Sequence, residues 1–229
     1  DSVASRGLGD VYKRQPLPAV FTKRIRGQRI TAVRRRGKFL VFQLSEDALL
    51  FHLRMSGDLY ITEESTTVDK YAHTIMTLDN YQQLRFSDPR KFGRVYLVRT
   101  AEEITARLGP EPLSKQFTSK SFARSLAKRK RMLKPLLLDQ SFLAGMGNIY
   151  TDEALHLSGI HPMRRSDTLV PAQARLLWRS LRRVLRDGIR NNGASIDWVY
   201  KGGRQQHHFR VYGRRGDPCH KCLSLIHIS

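Results

Sequence analysis

Residues 136–162 read LLLDQSFLAGMGNIYTDEALHLSGIHP, and the placement of their glycines sets the order of the local structure. An apolar helix is expected to end near Asp139, a turn containing Gly145 and Gly147 follows, and a second helix opens at Asn148, a residue suited to capping free backbone N–H groups. Unpaired N–H groups at a helix N-terminus make an anion site, and glycines before them let a phosphate approach without a Cβ in the way. Ile149, Ala154 and Leu155 supply an apolar face for the second helix, and Gly159 ends it. Taken alone, the stretch is also compatible with an ordinary helical hairpin.

The formal charge of +21 points to a polyanionic partner, because such an excess otherwise repels itself. Nucleic acid fits better than a membrane surface, since no basic segment adjoins a long apolar face. Ribosomal proteins share this composition, so charge alone does not choose among nucleic-acid binders. No apolar run approaches the ~18 residues of a membrane span, and two cysteines spaced Cys-x-x-Cys suit half a metal site better than a disulfide framework. These features read as a cytoplasmic protein.

Both ends are set aside. Asp10–Gln15, DVYKRQ, can be encoded by a string whose reverse complement translates as LSLIHI, which is Leu223–Ile228. Residues 1–15 and 223–229 therefore read as translated adaptor, non-native to the fold.

Between them, 30–44 read as two strands around Arg34, Arg35, Arg36, Gly37 and Lys38, a basic turn that on its own fits a solvated hairpin tip. Residues 49–61 read as strand, turn at Ser56-Gly57, and strand, with Met55 beside the turn. A methionine there packs inward or stands ready to enter a base stack. Tyr71–Leu78 and Gln83–Phe86 form another strand pair, leading into DPRKFG at 88–93. Arg90 and Phe92, two apart on an extended tip, would put a cation on a phosphate and an aromatic wedge between bases; the alternative is that Phe92 folds back into the core. LGPEPL at 108–113 reads as a domain linker. A helix is expected from Ser119 toward Lys134, with Phe122, Leu126 and Leu133 inward and Lys128–Arg131 crowding its end before Pro135. A long helix from about Ala172 to Arg190 buries Leu177, Leu181, Val184 and Leu185 and leaves its arginines solvated. The stretch VYGRRGDPCHKC at 211–222 reads as a strand and a knuckle.

From about Pro16 to Cys222, these motifs together resemble the formamidopyrimidine-DNA glycosylase family. The resemblance implies an α+β fold: an incomplete β-sandwich-like domain (16–107), a linker (108–118), a helical helix-two-turn-helix domain (119–203) and the start of a zinc finger (204–222). It implies a monomeric bifunctional glycosylase and lyase in base-excision repair that binds damaged double-stranded DNA, flips out 8-oxoguanine or formamidopyrimidines, and nicks the abasic site by β,δ-elimination. Residue by residue, it makes Lys38 a DNA contact that assists elimination, Met55 the void filler, and Arg90 and Phe92 the intercalation loop. Tyr71 stands where many members carry a DNA-contacting histidine. Arg129 and Asn148 match DNA-contact positions, Glu153 a structural carboxylate, and Cys219 and Cys222 half of the Zn2+ ligand set. The family's attacking amine is an N-terminal proline followed by glutamate. Pro16, followed by LPAV, does not match it, so the 229-residue chain is expected to be catalytically inactive and its first domain loosely packed. Two rivals stand beside this reading: a non-enzymatic, ribosomal-type binder, which leaves HLRMSG, DPRKFG and VYGRRGDPCHKC unexplained, and the endonuclease VIII branch, which generally lacks the DPRKFG loop.

Overall fold

The computed structural model describes residues 18–195 and 202–227. The chain divides into two compact units, Asp1–Ala106 and Arg107–Ser229. The proposed adaptor at 1–15, and Pro16, lie outside the described residues.

The first unit is built on two antiparallel sheets. One has the order β1 (Ile30–Arg36), β2 (Phe39–Leu44), β3 (Ala48–His52), β7 (Arg94–Val98); the other runs β4 (Asp58–Glu63), β6 (Gln82–Ser87), β5 (Ala72–Thr77). Phe42, Leu44, Leu49, Phe51 and Leu97 of the first sheet pack with Leu84 and Phe86 of the second. Three of these rings meet in sequence at steep angles, Phe42–Phe51 edge-on at 5.5 Å and Phe51–Phe86 tilted at 5.7 Å between centroids. The opposite face of the first sheet is covered too, by Ala101 and Ile104 of the segment around α2 (Glu102–Thr105), which explains why β3 reads as an unbroken apolar run.

The strand–turn–strand pattern of 49–61 does not say which sheet each strand joins. β3 and β4 belong to different sheets, and so do β6 and β7. The chain therefore crosses between layers twice, at 53–57 and at 88–93, and those crossings are the stretches that carry Met55, Arg90 and Phe92.

Helix α1 (Pro18–Ile25) was not foreseen. It lays Phe21 and Ile25 on the sandwich core, and Arg24 donates from Nε (2.9 Å) and Nη2 (2.5 Å) to the fully buried Asp47. Burial alone would raise that carboxyl, but hydrogen bonds from Arg24 and Gln28 and the charges of Arg24 and Arg99 hold it below the usual range. A cleft of about 700 Å³ beside α1 is lined by Phe21, Ile25, Ile75, Met76, Leu84 and Val95.

The second unit is helical: α3 (Ser119–Ala127), α4 (Leu133–Leu138), α5 (Asn148–Ser158) and α6 (Pro171–Arg190). Their inward faces meet in one core that includes Phe122, Leu126, Leu133, Leu137, Leu155 and Leu177. Thr118 opens α3 with a capping box to Ser121, Gly159 closes α5 at φ 64°, and Pro171 opens α6.

Several expectations are corrected here. The helix expected over 119–134 stops at Ala127, and Lys128–Met132 is a connector whose backbone is claimed elsewhere: Ser166 donates from N to Arg131 O (2.9 Å) and from Oγ to Arg129 O (2.6 Å). Pro135 lies inside the first turn of α4, where its missing N–H costs no helical bond. Among the α6 arginines, Arg182 is not merely solvated; it donates to Pro112 O at 2.5 Å and lies over the Trp178 ring at 4.9 Å. Residues 211–212 form no strand, and a single bridge pairs Pro218 with Leu225. In the tail set aside as non-native, Ile226 is buried against Val211 and Cys219. No helix among the described residues is long and apolar enough to cross a membrane.

Candidate nucleic-acid interface

Both crossings of the first unit end in tips that hold apolar side chains in solvent. Met55 is 65% exposed and Phe92 55%, so Phe92 does not fold back into the core. Each tip contains a non-glycine residue in the left-handed region, Arg54 (φ 60°) and Lys91 (φ 57°), beside the side chain it presents. Such a conformation costs about 1–2 kcal/mol and persists where surrounding bonds fix it. At the first tip those bonds are Gly57 N–H to Leu53 O (3.0 Å) and Arg54 N–H to His52 Nδ1 (3.2 Å). At the second, the buried Asp88 carboxylate accepts from Arg90 N (3.2 Å) and Gly93 N (2.6 Å). Desolvation pushes the Asp88 carboxyl up, yet hydrogen bonds from Ser56, Gly93, Arg90 and Phe92 outweigh it and leave it below the usual range.

Arg90 and Lys91 are exposed on the second tip. Tyr71 is half-buried; Lys70 Nζ lies 4.8 Å from its ring centroid, and its carbonyl accepts from Asp88 N (2.9 Å), which ties Tyr71 to the same loop. Lys38 follows Gly37 (φ 58°) at the β1–β2 turn. Register pairs Phe39 with His52 and the rings meet edge-on at 4.9 Å, so Lys38, His52 and Arg54 share one end of the sheet. Desolvation first and the Arg54 charge second hold the Lys38 ammonium below the usual lysine range.

His52 was missed in the sequence. Burial, then the charges of Arg54 and Lys38, push its imidazole down to about 4. It is therefore neutral near pH 7, as its acceptor role toward Arg54 N–H requires. An unfolded histidine takes its proton near pH 6.5 and the folded one waits until about 4, so stability is expected to fall as pH drops through that window. Allowing for partial exposure, the loss is about 2 kcal/mol. Urea unfolding at pH 7 and 4.5 checks this; His52→Phe should flatten the difference, and an unchanged difference would remove His52 from the account.

In the second unit, Gly147 is the extended N-cap of α5, and Asn148 is the first helical residue; its side chain caps nothing and is exposed. The opening amides of α5 thus keep the orientation of an anion site without a side-chain cap. The turn before them is built by Gln140 and Asp139. Gln140 donates from Nε2 to Leu138 O (2.8 Å) and Met146 O (2.9 Å) and accepts from Gly145 N (2.9 Å). Asp139 accepts from Ser141 Oγ (2.6 Å) and Arg131 Nη1 (2.7 Å), which lowers its carboxyl to about 2. Lys134 pairs with the buried Asp152 at 2.9 Å, joining α4 to α5. Arg129 is exposed on the connector between α3 and α4.

The zinc expectation meets a donor set that does not fit it. Cys219 is buried and Cys222 exposed; Lys221 N–H points at Cys219 Sγ (3.4 Å), and His156 Nε2 lies 3.5 Å from the same sulfur. Among the described residues no group of three or more His, Cys, Asp or Glu is placed to hold a metal, whereas a structural zinc takes four. Glu153, read as a structural carboxylate, is buried and accepts from three consecutive amides, Arg210, Val211 and Tyr212.

Comparison with known proteins matches both units. Residues 7–95 match the formamidopyrimidine-DNA glycosylase N-terminal domain and residues 108–199 the formamidopyrimidine-DNA glycosylase H2TH domain. The chain is 41% identical over 216 residues to a formamidopyrimidine-DNA glycosylase of Herpetosiphon aurantiacus, covering 91% of this chain and 79% of that protein. It is 44% identical over 216 residues to the one from Moorella thermoacetica, covering 90% and 79%. Among solved structures, Lactococcus lactis Fpg in complex with DNA containing an abasic site superposes with a TM-score of 0.83 at 34% identity, covering 90% of this chain and 79% of that one. A complex of the same enzyme with Fapy-dG-containing DNA superposes at 0.82, with the same identity and coverage.

Proposed function

Because the chain belongs to the formamidopyrimidine-DNA glycosylase family, we propose that it serves base-excision repair by engaging damaged duplex DNA, with oxidised purines as the lesions and β,δ-elimination as the cleavage route. The observation that carries this is the pair of exposed apolar side chains, Met55 and Phe92, each presented by a hydrogen-bonded tip. Holding two large apolar groups in water gains nothing for folding; placed in a base stack, they fill the space of an extruded nucleotide and wedge apart its neighbours. In this reading Arg90 and Tyr71 contact phosphates beside the wedge, and Arg129, Asn148 and the α5 amides grip the backbone through the second unit.

Lys38 contacts DNA and assists elimination. It is not the amine that forms the imine, a role the family resemblance gives to an N-terminal proline; borohydride trapping on abasic-site DNA that Lys38→Ala abolishes would contradict that. The family's zinc finger enters no step of this account, since the described donors do not form its site.

The reading is tested by comparing affinity for a duplex carrying an abasic-site analogue with affinity for an intact duplex. Met55→Ala and Phe92→Ala should each reduce the preference for the damaged duplex by about tenfold, the scale of one lost base–side chain stack, while leaving intact-duplex binding nearly unchanged. Equal losses on both duplexes would show that these residues only support the fold.

A further inference from the structure

We propose that the 53–57 turn and the 88–93 loop are a single coupled device, seated on Phe86 and Asp88 at the end of β6, so that placing Met55 and placing Phe92 are one event. The functional half of this rests on the reading of the two residues given above; the mechanical half rests on the first unit alone.

The polar half of the seat is Asp88. Ser56 Oγ, from the first tip, donates to Asp88 Oδ1 at 2.5 Å, and both residues are buried, Ser56 4% and Asp88 1% exposed. The same carboxylate accepts from Arg90 N and Gly93 N of the second loop, and the Asp88 carbonyl accepts from Lys91 N (3.1 Å). One carboxylate thus closes its own loop and holds the neighbouring one. His73 Nε2 lies 3.1 Å from the Asp88 carbonyl oxygen, and Asp88 N donates to Tyr71, which brings the start of β5 onto the same residue.

The apolar half is Phe86. A Cβ added at Gly57 would lie 2.9 Å from Phe86 Cε2, and one added at Gly93 would overlap the far end of the same ring. Both tips therefore press bare backbone against one side chain, and neither has room to shift without moving a fully packed phenyl ring. The position of β6 explains the convergence: it is the central strand of its sheet, with Leu59 of β4 opposite Phe86 and Ala72 of β5 opposite Ser87.

Asp88 and Ser56 act in this scheme as positioning residues; they touch no DNA. A tip displaced by contact with a base stack pulls on a bond whose other end fixes the second tip, and a buried carboxylate that loses one donor strains to keep the rest.

The test uses the full 229-residue chain. Amide hydrogen exchange should accelerate about tenfold in Ser56→Ala across 53–57 and also across 90–93, with β1 and β2 unaffected. Acceleration confined to 53–57 would overturn the proposal. Independently, a double-mutant cycle of the exposed pair Met55→Ala and Phe92→Ala, whose folding is not at risk, should be non-additive in affinity for abasic-site duplex by about fivefold or more. Where both single changes weaken damaged-duplex binding, additivity in that cycle also overturns it. If neither single change alters damaged-duplex binding, the functional reading above fails, and the exchange result still decides whether the loops are coupled.

Discussion

Binding of duplex DNA is expected to weaken about 40-fold when salt rises fourfold, from about 50 to about 200 mM, if Lys38, Arg90 and Arg129 each neutralise one phosphate and give a log–log slope of about −2.7. All three side chains are exposed and on turns or connectors, so none loses a fold contact by binding. The figure is a lower bound, since a net charge of +21 leaves other cations near any bound backbone. Asn148 and the opening amides of α5 add affinity without adding ionic slope, because they carry no exchangeable counterion. The prediction is therefore also differential. Arg90→Ala and Arg129→Ala should each flatten the slope by about 0.9, while Asn148→Ala lowers affinity at every salt concentration and leaves the slope alone. Fluorescence anisotropy across a salt series measures both quantities; a slope indifferent to Arg90 and Arg129 would take them off the phosphate backbone.

Much of this arrangement was legible in the chain. Gly37, Ser56-Gly57, Asp88-Pro89 and Gly145-x-Gly147 each mark a chain reversal, and the structure puts a turn at every one of them. Gly159 closes α5 as its sequence position implied. What was not legible depends on partners distant in sequence. The strand–turn–strand pattern of 49–61 is the same whether two strands form a hairpin or cross between sheets, and the crossing appears only in the sheet order and in the packing of Phe86 against Phe51. Lys128–Arg131 are good helix formers, so intrinsic preference extends α3; the bonds from Ser166, more than thirty residues later, end it. Asp47, His52, Asp88 and Gln140 look like ordinary polar residues until their environments are seen. Burial of a polar group is a property of the whole fold.

Replacing Glu153 by alanine is expected to cost about 3 kcal/mol or more, the largest stability effect of a single substitution in the second unit that removes no apolar group. The carboxylate is 4% exposed, and its two oxygens accept from Arg210 N (2.9 and 3.0 Å), Val211 N (2.8 Å) and Tyr212 N (3.0 Å). Alanine leaves three consecutive amides without their acceptor, and each buried donor left unmatched costs about 1–3 kcal/mol. Glu153→Gln is a sharper probe. It keeps the shape and one acceptor oxygen but turns an NH2 group toward N–H donors, and about 2 kcal/mol of loss is expected. Urea unfolding reads the totals, and amide exchange at 210–212 should rise in both variants. The competitor here is apolar burial of Val211 with Cys219 and Ile226. A loss below about 1 kcal/mol for Glu153→Ala, the size expected of a surface change, would mean that this small cluster and not the carboxylate holds the segment. A full loss would mean that α5, whose first residue is Asn148, also anchors the segment at 210–212. Glu153 would then be the residue that fixes this segment against the helix.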